Sequence, residues 1–252
     1  MGQRQGAASG RGPMKMTARP VRLRGVEVIT FDCYGTLIDW EGGAKQALRA
    51  LLEKSPPATA GEVPLEVVLD QFFQAWERAQ WELIHGPYQR YRDIAREAFV
   101  EVGAVHGLPL GVNEGRAFAD SIAGWKPFPD TAAALRHLRQ HGLRLGIISN
   151  IDDDILAATV KLLGVDFDLQ MTAQQARAYK PSPVPFQRAL EKLALPPQQV
   201  AHAGFGFEYD MAPAAELGMR TVLVKRARVE FPPTPMPDLI VADLAELASL
   251  FD

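Results

Sequence analysis

Short apolar segments alternate with amphipathic segments along most of this 252-residue chain, and that alternation restricts its fold more than any other feature. The amphipathic stretches repeat apolar residues at helical spacing, whereas the apolar segments have the length of β-strands. Strands that alternate with helices form a parallel sheet with helices on both faces. The sequence therefore predicts an α/β fold with a Rossmann-like parallel sheet core. The predicted strands are residues 26–31, 143–148, 167–171, 200–204, 221–224 and 239–241.

The pattern changes between residues 43 and 123, where strand-like segments are missing. Apolar residues recur there at three-, four- and seven-residue steps, as in Leu65, Val68, Phe72 and Trp76, which is the spacing of one helix face. We therefore predict an all-helical insertion at residues 43–123, within a Rossmann-like core made of residues 24–42 and 124–252.

The first 24 residues hold six of the 27 Lys and Arg residues and no acidic residue, and they lack apolar periodicity. We expect residues 1–23 to form a disordered basic tail. An organellar presequence and a later start codon, at Met14 or Met16, stay open as alternatives.

The composition limits the compartment and the partners that we expect for this protein. Cys33 is the one cysteine, so no internal disulfide can form and a reducing compartment, the cytoplasm, is expected. A net charge of −3 disfavours binding to nucleic acid, and no apolar run approaches the ~20 residues that cross a bilayer. The expected partner is a small-molecule substrate, and assembly as a homodimer is left open.

Polar residues follow the predicted strands at the points where the strands end. Asp32 follows the first strand, and Ser149 and Asn150 follow the second. Lys180 lies beyond the third and Asp210 beyond the fourth. Because the carboxyl ends of parallel strands carry the working groups of such sheets, we predict a single site built from these residues. Each residue alone has an ordinary explanation as a turn, a helix cap or a solvated surface charge.

Asp32 has the chemistry of a nucleophile. A carboxylate at the end of a buried strand loses part of its water, which makes it competent to attack carbon or phosphorus. Gly35 allows the backbone to turn sharply, and Thr36 can hydrogen-bond a carboxylate oxygen. Lys180 lies among apolar residues in the sequence and needs a counter-charge, for which Asp32 is a candidate.

Four segments of the chain resemble the ordered motifs of the haloacid dehalogenase superfamily. These segments are residues 31–39, 147–150, 179–182 and 202–210. The resemblance covers the chain beyond the basic tail. It implies a Rossmann-like core with a helical cap, and a hydrolysis that passes through a covalent ester on the first aspartate, here Asp32.

Position 34 distinguishes the subclasses of that superfamily. Its phosphatases have a second aspartate two residues after the nucleophile, which protonates the leaving alcohol, and here the residue is Tyr34. A halide leaves as a stable anion and needs no proton. The first segment accordingly resembles the L-2-haloacid dehalogenases of type II, which implies hydrolytic dehalogenation of small 2-haloalkanoic acids. No cofactor and no metal are expected, because Tyr34 and Phe205 stand where the phosphatases place acidic residues.

The resemblance also implies a role for each predicted site residue. Asp32 attacks the halogen-bearing carbon, and water then hydrolyses the ester. Thr36 and Ser149 orient the nucleophile and the substrate carboxylate, Asn150 helps to hold the halide, and Lys180 keeps the nucleophile ionised. The aspartate of the fourth segment orients that lysine or the hydrolytic water. The predicted catalytic residues are Asp32, Thr36, Lys180 and Asp210, and the predicted substrate-binding residues are Tyr34, Trp40, Ser149 and Asn150.

Departures from the family pattern leave the reaction open. Glu77 stands where the family has a halide-binding arginine in the cap, with Arg78 one helical position further on. Phe186 replaces a tyrosine, and residues 205–207 replace polar positions of the fourth segment by aromatic and glycine residues. A magnesium-dependent phosphatase of the same fold, and a binding protein that has lost turnover, are retained as alternatives.

Four further residues are predicted to fill the core and to take no part in catalysis. Trp76 and Trp81 lie on a predicted cap helix, and His202 lies near a strand end. Cys33 adjoins the nucleophile but has no obvious histidine partner, so we expect a small buried side chain.

Overall fold

A computed structural model describes residues 23–56, 61–226 and 236–251 of the chain. Its centre is a six-stranded sheet in the order β3-β2-β1-β4-β5-β6, in which every pair of neighbours is parallel. The predicted α/β fold with a Rossmann-like parallel sheet is confirmed. The strands are β1 (Val28–Phe31), β2 (Arg144–Ser149), β3 (Leu169–Thr172), β4 (Val200–Gly204), β5 (Arg220–Val224) and β6 (Leu239–Val241).

Strand β1 takes a central place because its whole length is apolar or β-branched. All four of its residues are buried, as expected of a strand that is covered on both faces. The chain order reverses beside β1, since β2 lies on one side of it and β4 on the other. Phe31 pairs with Ile147 and with Ala203, so the three strands end at nearly the same level. Asp32 therefore emerges at the switch point of the sheet, where α/β folds bind their ligands.

The segment between β1 and β2 is helical. Its first helix begins at Trp40, three residues before the predicted boundary at 43, because the carboxylate of Asp39 accepts a hydrogen bond from the N–H of Gly42 and caps the helix. The division of the chain into a cap and a core domain stays a prediction. The helices of this segment are α1 (Trp40–Lys54), α2 (Leu65–Ile84), α3 (Tyr91–Val105) and α4 (Val112–Ser121).

These four helices share an aromatic core. Trp76 of α2 is fully buried, as predicted, and its ring meets that of Phe118 edge-on at 4.8 Å. Phe72, one helical turn earlier, meets Phe99 of α3 at 5.1 Å. The three- and four-residue spacing read from the sequence therefore places one face of α2 against its helical neighbours.

A buried carboxylate connects this helical segment to the sheet. Asp152 precedes the helix that follows β2, and its two oxygens accept hydrogen bonds from the N–H groups of Tyr91 and Arg92, both at 3.0 Å. These N–H groups belong to the first turn of α3, so Asp152 caps that helix from outside it. Among the described residues, no helix is long and apolar enough to cross a bilayer.

The remaining helices precede, connect or follow strands β2 to β6. Leu23, the last residue of the predicted tail, is fully buried, and residues 1–22 of that tail lie outside the described residues. The connecting helices are α5 (Thr131–Gln140), α6 (Asp153–Leu163), α7 (Ala173–Ala176), α8 (Val184–Leu193), α9 (Ala212–Glu216) and α10 (Leu244–Ser249).

The segment after β4 does not begin directly with an α-helix. A π turn at Phe207–Met211 precedes α9, so Asp210 lies inside the turn and is not a helix N-cap. The N–H groups of Asp210 and Met211 both donate to the carbonyl oxygen of Gly206, which widens the turn. π turns are frequent at functional sites, and this one directs the Asp210 side chain toward the end of β1.

Candidate active site

Asp32 lies directly after β1, with 6% of its surface exposed. Its N–H donates to the carbonyl oxygen of Ala203 at 2.9 Å, so the sheet still holds its backbone. The chain then turns tightly, because the carbonyl oxygen of Cys33 accepts hydrogen bonds from the N–H groups of Leu37 and Ile38. The Cys33 side chain is buried, as expected, and the turn leaves the Asp32 carboxylate at the edge of the sheet.

Thr36 orients one oxygen of the nucleophile candidate. Its hydroxyl donates to Oδ2 of Asp32 at 3.0 Å and accepts a hydrogen bond from the N–H of Phe205 at 3.0 Å. Gly35 has a φ of 95°, and a Cβ atom at that position would lie 2.5 Å from the Phe205 ring. Glycine is therefore required at position 35 for the turn that returns Thr36 to Asp32.

Lys180 is buried and donates three hydrogen bonds through its ammonium group. The acceptors are Oδ1 of Asp32 at 2.9 Å, Oδ1 of Asp210 at 2.6 Å and the carbonyl oxygen of Ile148 at 3.0 Å. All three N–H donors of the ammonium are thereby used. The Asn150 amide holds the backbone of Lys180, accepting from its N–H at 2.7 Å and donating to its carbonyl oxygen at 2.9 Å. The predicted role of Asn150 toward a halide stays a prediction.

Asp210 is the second buried carboxylate of the site. Its Oδ1 accepts from Lys180 and lies 3.2 Å from Nε2 of His202, while its Oδ2 accepts from the N–H of Gly206. His202 is fully buried and does not line the cavity in front of Asp32, which agrees with its prediction as a core residue. Because an ionised Asp210 can only accept, we assign the imidazole proton to Nε2.

Burial and the shared lysine set the charges of these groups. Burial raises the pKa of Asp32 to about 6; Lys180 opposes that shift, and Asp210 adds to it. At Asp210, burial favours the acid, but Lys180 and His202 outweigh it and lower the pKa of that carboxyl. Burial disfavours the charged form of Lys180, but the two carboxylates outweigh it and raise the pKa of the ammonium. Burial lowers the pKa of His202, so the imidazole is neutral. At neutral pH the nucleophile candidate is ionised, and the site holds two carboxylates against one ammonium.

A cavity of about 110 Å³ opens in front of Asp32, between the strand ends and helices α1 and α2. The structure brings every predicted site residue to this place. Thr36 lies behind the nucleophile candidate, and the other predicted residues line the cavity: Asp32, Tyr34, Trp40, Ser149, Asn150, Lys180 and Asp210. The helical wall opposite the sheet contributes six lining residues, of which Trp40, Trp81 and Tyr91 are aromatic.

Known proteins share this fold and cover the residues of the site. A family model described as haloacid dehalogenase-like hydrolase matches residues 26–218, which is most of the chain. The chain belongs to the haloacid dehalogenase-like hydrolases.

Relatives of this haloacid dehalogenase-like hydrolase differ in their reactions. The chain is 26% identical to haloacetate dehalogenase H-2 of Moraxella sp. (strain B) over 208 residues, which are 81% of this chain and 88% of the relative. It is also 26% identical to phosphoglycolate phosphatase of Aquifex aeolicus (strain VF5) over 229 residues, 90% and 97% of the two chains. The crystal structure of a defluorinating L-2-haloacid dehalogenase matches with a TM-score of 0.76 at 21% identity, covering 92% of this chain and 99% of the other, and shows the same fold. Membership of the family therefore leaves the substrate open.

The helical wall of this hydrolase contains residues that the sequence did not single out as substrate-binding. Glu77, Trp81 and Ile84 line the cavity from α2, beside the buried face that carries Trp76. The prediction that Trp81 is a core residue is wrong, since its ring lines the cavity and meets the ring of Tyr209 at 4.7 Å. Glu77, Trp81 and Ile84 are spaced by four and three residues, which is helical spacing and could have indicated a second functional face of α2. Other lining residues that were not predicted to bind substrate are Gln80, Tyr91, Ile151, Phe205 and Tyr209.

The phosphatase alternative requires a magnesium site beside Asp32. Magnesium needs a near-octahedral set of oxygen ligands. Within the described residues, no group of three or more His, Cys, Asp or Glu side chains is arranged to hold a metal ion. Asp32 and Asp210 are both bound to Lys180, and Tyr34 and Phe205 add no carboxylate. The residues present do not fit magnesium, and turnover without a metal stays a prediction.

Proposed function

We propose that this hydrolase cleaves the carbon–halogen bond of small 2-haloalkanoic acids through a covalent ester on Asp32. The observation that carries the proposal concerns the residue two positions after the nucleophile. The Tyr34 hydroxyl is hydrogen-bonded to the Thr159 hydroxyl at 2.7 Å, and burial raises the pKa of Tyr34 well above its usual value. Tyr34 is therefore a poor proton donor for a leaving alcohol, whereas a leaving halide needs no proton.

In the first step, a carboxylate oxygen of Asp32 forms a bond to the carbon that bears the halogen. The electron pair of the carbon–halogen bond leaves with the halide. A pKa of about 6 makes Asp32 more basic than an ordinary aspartate, yet it is still ionised at neutral pH. Lys180 and Thr36 each hold one of its oxygens, so the carboxylate is oriented before the substrate enters.

In the second step, water attacks the carboxyl carbon of the Asp32 ester. The bond between that carbon and the product oxygen breaks, and the product leaves as an alcohol with one proton of the water, while the other proton passes to the solvent. Asp32 regains its carboxylate with one oxygen from water. Negative charge develops on the carbonyl oxygen of the ester. Lys180 and Thr36 are the donors already in contact with the carboxyl group, and they can stabilise that charge.

A specific observation favours each of two other functions. The similarity to the Aquifex phosphoglycolate phosphatase extends over nearly both chains, which supports a phosphatase. Such a reaction would need a proton donor for the alcohol and a magnesium site. A binding protein without turnover is supported by Glu77 at the cavity, whereas the hydrogen bonds of Thr36 and Lys180 to Asp32 support turnover.

The test is halide release from a panel of 2-haloalkanoic acids, run beside phosphate release from phenyl phosphate with and without magnesium. With enzyme in excess over substrate in water labelled with heavy oxygen, the first product should carry an unlabelled oxygen from Asp32. The label should then appear in the Asp32 carboxyl group. Magnesium-dependent phosphate release without halide release would establish the phosphatase instead, and release of neither would favour the binding protein.

A further inference from the structure

The cavity carries more carboxylates than cations. Asp32, Asp210 and Glu77 line it, and Lys180 is the one lysine or arginine among the described lining residues. The ammonium of Lys180 has no free N–H donor, because each of its three is bonded to protein. The cation at the strand ends is therefore fully bonded within the protein. Among the described lining residues, an anionic substrate meets an excess of negative charge and no free ammonium or guanidinium group.

Glu77 is the carboxylate of this cavity that forms no ion pair with a described residue. The Trp40 side chain donates a hydrogen bond to it from the start of α1. The charged groups of α1 that act on it are Glu41 and Lys45, and Lys45 is already paired with Glu41 and with Asp70. Within the described parts of the chain, no ion pair includes Glu77.

Aromatic rings line the same cavity. Trp40, Trp81 and Tyr209 are among them, and Trp81 and Tyr209 meet edge-on at 4.7 Å. The faces of aromatic rings attract cations, and a carboxylate among them supplies a counter-charge. Aromatic faces with one unpaired carboxylate are the chemistry that recognises an ammonium group.

We propose that Glu77 sets the charge preference of the site: it favours haloalkyl substrates that carry an ammonium group beside the reacting carbon and disfavours those that carry a carboxylate there. The inference rests on the proposed carbon–halogen hydrolysis and concerns the charged group of the substrate, not the bond that breaks. Small 2-haloalkanoic acids are then substrates whose capture Glu77 slows.

The charge preference should depend on pH, because Glu77 loses its charge when it takes up a proton. Loss of water to the protein around the cavity, and to a lesser degree the charge of Glu41, raise the pKa of Glu77 to about 7, although the residue as a whole is exposed. The charge is present above that pH and is lost below it. Asp32, Lys180 and Tyr209 also face the cavity, and of these only Asp32 titrates nearby, at about 6. The preference for ammonium should therefore grow from pH 7 to pH 8, where Asp32 stays ionised.

The test compares three chlorinated compounds of similar size. They are 2-chloropropionate, 2-chloropropionamide and (2-chloroethyl)trimethylammonium, and halide release is measured at pH 8 with the native enzyme and with Glu77→Gln. Each compound is compared only with itself, so its intrinsic reactivity cancels. We expect Glu77→Gln to lower kcat/KM about tenfold for the ammonium compound and to raise it about tenfold for the carboxylate, with the amide in between. Glu82→Gln, an exposed glutamate on the same helix that does not line the cavity, should move none of the three ratios.

A binding measurement separates this inference from the proposed reaction. Tetramethylammonium and propionate are titrated by calorimetry into Asp32→Asn protein, with and without Glu77→Gln, after thermal unfolding has shown that each variant is folded. We expect Glu77→Gln to weaken tetramethylammonium binding about tenfold and to strengthen propionate binding. If no compound releases halide while this binding preference is present, the proposed reaction alone is overturned. If Glu77→Gln and Glu77→Ala leave both the binding and the kinetic ratios unmoved, the charge preference is overturned.

Discussion

The cavity has two walls that differ in their bonding: a sheet wall, formed by residues at the ends of the strands, and a helical wall, formed by residues of the helices between β1 and β2. On the sheet wall, the polar side chains are buried and bonded to one another, and Lys180 alone joins Asp32, Asp210 and the end of β2. On the helical wall, three of the six lining side chains are aromatic, and Glu77 has no ion pair among the described residues. Substituting one residue of a hydrogen-bonded set also disturbs its partners, whereas substituting a residue that only lines the cavity changes its surface alone. The sheet wall should therefore govern the chemical step, and the helical wall should govern which compound is captured.

The largest effect is expected at Asp32, on the sheet wall. Asp32→Asn removes the attacking charge while keeping the size of the side chain, so kcat for halide release should fall by roughly 10⁴-fold or more. Thermal unfolding should show a folded protein, since Asn retains an oxygen that can accept from Thr36. Mass spectrometry must exclude deamidation. Turnover near the native rate by undeamidated protein would remove Asp32 from the role of nucleophile.

Lys180→Met should have the next largest effect, a loss of roughly 10²- to 10³-fold in kcat at neutral pH. The ionised form of Asp32 is the reactive one, so the native activity should fall as the pH drops through about 6. The charge of Lys180 lowers the pKa of Asp32, so its removal should raise that pKa further and move this acid limb to higher pH. The pH profile of kcat/KM checks the shift. An acid limb that stays in place in a folded variant would show that Lys180 does not act through its charge.

On the helical wall, Trp81→Ala should raise KM about tenfold and change kcat by less than about threefold. The substitution removes an aromatic surface of the cavity together with its contact to Tyr209, but it touches no group that bonds Asp32. Val67→Ala, at an exposed position of the same helix, is the matched control. A loss of kcat as deep as that of Asp32→Asn would break the division between the two walls.

The smallest effect is expected from chelation of divalent metals. Excess chelator, or added magnesium, should change halide release by less than about twofold, because the two carboxylates of the sheet wall are both bonded to Lys180 and offer too few oxygens for magnesium. The same assay on phenyl phosphate provides the contrast. Strong activation by magnesium on either substrate would mean that the sheet wall rearranges around a metal.

Sequence reasoning reached the sheet wall because strand register leaves little freedom there. Once β1 and β2 are strands of one parallel sheet, the pairing of Phe31 with Ile147 brings Asp32 and Ser149 to the same edge. Helix α2 has no such constraint. As large apolar residues of one predicted helix, Trp76 and Trp81 were both predicted to lie in the core. In the structure, the orientation of the docked helix buries Trp76 and turns Trp81 toward the cavity. Local spacing separates the face of Trp81 from that of Trp76, but it does not indicate that the second face meets a cavity.

The π turn at Phe207–Met211 has a consequence for how the chain tolerates changes of length. A turn with i+5 hydrogen bonds contains one residue more than an α turn, so deleting a single residue there would let the segment close as an ordinary α-helix. Each residue of an α-helix advances the side-chain direction by about 100°, and the deletion would swing Asp210 away from Lys180 without disturbing a strand. A one-residue gap at this point of an alignment between relatives therefore separates chains that keep the second carboxylate from chains that have lost it.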